Sequence, residues 1–139
     1  MKAKTFVIGF VAVLAGAVAA SVYFNLTATR PQKTVTAVAS PDGRYKAVRV
    51  SLTQGGACFD TISVYLSVYP DSFAEREKTY RVYSGPCAPE GARADLPKMQ
   101  WLSDTALRIT YPAVPAGAKR TMEPMDASNF VHVTYAARQ

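Results

Sequence analysis

The sequence is poor in the residues on which most chemistry depends. Its 139 residues include one histidine, two cysteines and one tryptophan. Zinc wants four ligands, and His132 with Cys58 and Cys87 is a thin set from which to build them. Neither cysteine lies in a C-x-x-C motif or has a histidine near it in sequence, so nothing marks a reactive thiol. No glycine-rich phosphate loop runs from a strand into a helix. No basic run interleaved with aromatics suggests a nucleic-acid groove. Glu75 and Glu77 sit among Arg76 and Lys78 and read as a solvated turn, not an acid–base pair. His132 falls on the polar side of an alternating stretch, opposite Val131 and Val133. The sequence therefore offers no catalytic residue, no metal site and no cofactor site, and the expectation is a protein that is not an enzyme.

Charge is also missing, from one region. After Lys2 and Lys4 there is no charged residue from Thr5 to Thr29, and Phe6 to Leu26 is almost wholly apolar. At about 1.5 Å per residue such a helix would be roughly 32 Å long, enough for a hydrocarbon core of about 30 Å. Residues 1–26 are thus either a signal peptide or a single-pass transmembrane anchor. Ala17-Val18-Ala19 supplies the small residues of a cleavage site near residue 19 or 20. The run continues past it through Tyr23 and Phe24, which suit an interface, and this extra length favours retention with the N-terminus inside. Ala12, Gly16 and Ala20 share a helix face, which reads as composition more readily than as a helix–helix contact.

Residues 27–33 form a short polar linker, and from there the period changes to alternation. Residues 34–139 are expected to be one mainly β domain, a small antiparallel sandwich or curved meander of six to seven strands. The strands are Thr34 to Ala39, Tyr45 to Leu52, Thr61 to Tyr69, Thr79 to Ser84, Met99 to Leu102, Ala106 to Tyr111 and Asn129 to Ala136. Ser40-Pro41-Asp42-Gly43 is a strong turn signal. In the third strand Ile62 and Val64 face a core and Tyr65 and Tyr69 face solvent, which makes the two tyrosines a candidate contact. Tyr80 and Val82 point inward together in the fourth strand. Ser72-Phe73-Ala74-Glu75 matches a capping box and starts a short helical turn. The closing strand is apolar enough to be central or well covered. Without crossover helices, no parallel pairing is expected.

An even cysteine count in an exported domain reads as a Cys58–Cys87 disulfide. Closing a loop of about 30 residues would contribute between about 3 and 4 kcal/mol. The longest connection, 112–126, is the leading suspect for contact, with Lys119, Arg120, Met122 and Met125 as cationic and adaptable apolar groups. Net charge is +6, and without Lys2 and Lys4 the remainder carries 16 − 2 − 10 = +4. That is mildly attractive to anionic surfaces and otherwise unspecific.

Ser40-Pro41-Asp42-Gly43-Arg44-Tyr45 with its following strand resembles the SPDG turn of TolB-like propeller blades, and Trp101 to Leu107 looks like a degenerate second copy. The chain is too short for a propeller. It is more similar to small exported bacterial β proteins of unknown function, in which such a turn precedes a Gly-rich break like Gly55-Gly56-Ala57-Cys58 and a strand like Thr61-Ile62-Ser63-Val64. That resemblance implies a β fold and an envelope location, and no activity. The expectation is a bacterial inner-membrane protein with its C-terminal domain in the periplasm, or a secreted periplasmic one after cleavage. It would act by binding an envelope protein or anionic envelope polymer, and would hold the lipid bilayer through residues 6–26 if uncleaved. The alternative is a periplasmic inhibitor or immunity-type protein that blocks an enzyme through 112–126.

Overall fold

The computed structural model describes residues 31–93, 95–113 and 117–138. The expectations for residues 1–30 lie outside them. No helix among the described residues is long and apolar enough to cross a membrane.

β1 (Gln32–Ala39) and β2 (Tyr45–Gln54) pair around the Ser40-Pro41-Asp42-Gly43 turn. The turn is self-contained. Asp42 accepts the Ser40 hydroxyl at 2.6 Å and the Arg44 amide at 3.1 Å, and Gly43 takes φ +72°. Those donors, the Ser40 hydroxyl first, hold the Asp42 carboxyl below its usual pKa. β3 (Ala57–Leu66) follows through Gly55-Gly56, both at positive φ, the geometry a two-residue hairpin loop needs. A four-residue helical turn α1 (Phe73–Arg76) and a 3₁₀ turn, Lys78–Tyr80, lead into β4 (Arg81–Pro86). After an irregular stretch come the hairpin β5 (Lys98–Ser103) and β6 (Ala106–Pro112), then β7 (Thr121–Met122) and β8 (His132–Arg138).

The strands form two sheets, ordered β1-β2-β3-β4-β7 and β5-β6-β8. Tyr45, Ala47, Ile62, Val64, Val82 and Tyr83 from the first pack on Leu107, Ile109, Val131 and Val133 from the second segment of chain. The fold is mainly β, with two largely antiparallel sheets sharing one core. The outer face of the larger sheet carries a second cluster, in which Val48, Val50 and Tyr65 meet Ala74, Phe73 and Tyr80 of the helical turns.

Several expectations need correction. Eight strands are described, not six or seven, because β7 lies within the stretch read as a loop. β6 and β8 run parallel. The parallel return needs only a connection long enough to reverse the chain. Here it is made by a detour through β7, which pairs with β4 in the other sheet. β8 is an edge strand, and its start is covered by the segment before it: Val133 donates to the Pro124 carbonyl, and His132 bridges to Met125. β3 stops at Leu66, and its outer face is covered at the Tyr65 end: Tyr65 is buried against Phe73 and Tyr80, not solvated. Tyr69, outside the strand, stacks on Phe73. No capping box forms, since Ser72 has helical angles and makes no side-chain cap bond. Tyr80 lies with the outer cluster, while Val82 and Tyr83 both reach the inner one, an outcome of the bulge opposite Ile62/Ser63.

Candidate binding surface

The sequence-predicted residues do not gather. Cys58 and Cys87 lie across the β3–β4 pairing with Cα atoms 5.3 Å apart and are disulfide-bonded. Lys119 is exposed, but Arg120 is committed: its guanidinium stacks 4.2 Å from the Tyr111 ring and donates to the Pro112 carbonyl at 2.8 Å. Met122 is exposed in β7, and Met125 is half-buried beside His132. His132 is exposed, and its side chain makes no hydrogen bond among the described residues. Among the described residues no serine or carboxylate is hydrogen-bonded to it.

Two buried carboxylates are structural. Asp126 gathers the amides of Ser128, Phe130 and Val131 and so shapes the approach to β8. Asp60, fully buried on the inner face, accepts the Ser51 hydroxyl and lies 3.4 Å from Arg49 Nε. Arg49 then donates to the carbonyls of Arg93 and Leu96, each at 2.8 Å, and of Pro97. One guanidinium thus ties the irregular 87–97 stretch to the sheet at a point the disulfide does not reach. Alternation hid this role, because Arg49 reads as the polar face of β2.

The outer face of the larger sheet is covered at one end only. Beyond α1 the face is bare, and it forms a groove of about 720 Å³ lined by Val50, Leu52, Phe59, Lys78 and Arg81, among others. The register explains the exposure. Lys33 pairs with Leu52, and Leu52 with Phe59, so these side chains share a face near the Gly55-Gly56 turn. Leu52 is 41% exposed, Phe59 50% and Val35, one step inward on β1, 38%. Across the rim Lys33 pairs with Glu75 at 2.9 Å. Neither Lys78 nor Arg81 is ion-paired among the described residues. The signal for this patch was present: treating Gly55-Gly56 as a two-residue turn makes Leu52 and Phe59 direct cross-strand neighbours.

β1 also leaves an edge. The Ser40 amide bonds the Tyr45 carbonyl at 2.8 Å, which fixes the phase of the β1–β2 pairing. In an antiparallel ladder bonded pairs alternate, so the even residues of β1 bond β2, and Lys33, Val35 and Ala37 turn their amides and carbonyls outward. All of β1 except Val38 is exposed.

Neither a family model, nor a curated protein, nor a solved structure matches this chain.

Proposed function

We propose that this protein is a non-catalytic binding module of the bacterial cell envelope, and that it takes an extended segment of a partner protein onto the β1 edge. The observation that carries this reading is the outward row of Lys33, Val35 and Ala37, an exposed edge to which another strand can add. The disulfide suits an oxidising compartment outside the cytoplasm. An inhibitor acting through 112–126 has less support, because Arg120 is spent on Tyr111 and Pro112 and β7 is held by β4.

The test is photo-crosslinking of the full chain in cells, with the reactive residue at Thr36. Discrete protein adducts are expected, and Ala37→Pro should abolish them, since it removes an outward N–H without costing a ladder bond. Adducts that persist unchanged in a folded Ala37→Pro variant would remove the strand-addition reading.

A further inference from the structure

We infer that the bare outer face at the Gly55-Gly56 end seats on the surface of an anionic bilayer. This rests on the anchored reading of residues 1–26, and it concerns the outer face of the sheet, which shares Lys33 with the β1 edge. Three observations converge on it.

The first is where the chain enters. Pro31 lines the groove, and β1 starts beside the β2–β3 turn, with Gln32 opposite Thr53 and Gln54 opposite Ala57. Only Thr27 to Arg30 separate Leu26, the last residue of the apolar run, from Pro31. Fully extended, the step from Leu26 to Pro31 spans at most about 18 Å. On the anchored reading, that covalent length is the most that can separate Pro31 from the end of the apolar run.

The second is the chemistry of the face. Leu52 and Phe59 stand exposed side by side, backed by Val50. An aromatic and a leucine on a hairpin shoulder suit the boundary between headgroup and acyl chain.

The third is charge. Lys33, Lys78 and Arg81 line the groove against one carboxylate, Glu75, which Lys33 already engages. Lys78 and Arg81 are left for an anion, and lipid phosphates present a plane of them. Apolar centre and basic rim together describe a membrane-seating face more closely than a groove for a neutral peptide.

The full chain in nanodiscs, one copy per disc, tests this directly. A Phe59→Trp variant reports the face, and the wild-type chain, with Trp101 alone, gives the baseline. Lipids brominated in the acyl chain should quench the Phe59→Trp emission well beyond that baseline in discs containing phosphatidylglycerol. Quenching should fall to the baseline in phosphatidylcholine alone. Adding Lys78→Gln and Arg81→Gln should weaken seating by roughly fivefold for each charge, read as lost quenching at an unchanged thermal midpoint. Baseline quenching in anionic discs overturns the proposal, as does equal quenching in both lipids. A blue shift that needs two chains per disc assigns the face to a second copy and also overturns it. The mature N-terminus, read by mass spectrometry from cells, tests the anchor separately: a chain starting at Ala20 or Ser21 removes the premise without altering the nanodisc result.

Discussion

The two faces of the five-stranded sheet are built from the same strands and solve opposite problems. The inner face is covered along its middle strands, by the second sheet over Ile62 and Val64 and by the 87–97 stretch over Arg49 and Asp60, and only its β1 margin at Thr34 and Thr36 stays exposed. The outer face is sealed only where α1 and the 3₁₀ turn lie over Tyr65, and six residues further along β3 it is open at Phe59 and its cross-strand neighbour Leu52. Alternation separates the faces correctly but does not say which part of each face is covered. A cover is set by chain that lies far away in sequence.

The comparison can be broken most severely at Arg49. Arg49→Met leaves Asp60 buried without its cation and three carbonyls without their donor, and should cost about 3–5 kcal/mol in urea unfolding. Combining it with Asp60→Leu should restore a good part of that loss. If the single variant is as stable as the parent, the inner face does not depend on its polar half.

A smaller effect is expected at Tyr135, whose hydroxyl lies 2.7 Å from the Val82 carbonyl and 2.6 Å from the Glu123 carbonyl and shares its single proton between them, joining β8 to the other sheet. Burial pushes its phenol well above the ordinary pKa, and burial raises Tyr83 and Tyr65 as well. The folded state thus holds these protons more tightly than the unfolded state. Their contribution is complete below the unfolded phenol value of about 10 and is lost as pH rises from there towards the folded values. Tyr135→Phe should cost about 1–1.5 kcal/mol at neutral pH and make the alkaline loss shallower, measured as unfolding midpoints across pH 8–12 (roughly). An alkaline slope identical to that of the parent would show that this phenol does not contribute to it.

The outer face should respond least. Phe59→Ser should change stability by no more than about 0.5 kcal/mol, because half its surface is already in water. A loss of the size expected for a buried aromatic, about 3–5 kcal/mol, would mean that Phe59 is packed and the bare half of the face is not bare.

Most strands were legible because their own residues encode them: the SPDG turn, the Gly55-Gly56 turn and the β5–β6 hairpin are local signals. β7 was not, since Thr121 and Met122 carry no alternation and pair only because the chain passes β4 on its way back. The Ser72 capping box failed because the sequence pattern does not fix the Ser72 backbone in the extended geometry a cap needs. Within the contact stretch suggested at 119–125, the partner of Arg120 was not legible either, since Tyr111 lies nine residues away. What sequence could not supply was the register-dependent neighbourhood: Arg49 beneath residues 93–97, and Leu52 beside Phe59.

The path through β7 also bears on whether the domain can be divided. The chain completes four strands of one sheet, leaves for two of the other, returns for β7 and leaves again for β8. Between Pro112 and Val131, a cut before β7 leaves both sheets short of a strand in the first fragment, and a cut after it still parts β8 from β6. No cleavage of this chain separates one sheet from the other as intact pieces. The two sheets of the described residues are accordingly one indivisible module, joined by a chain that crosses between them three times.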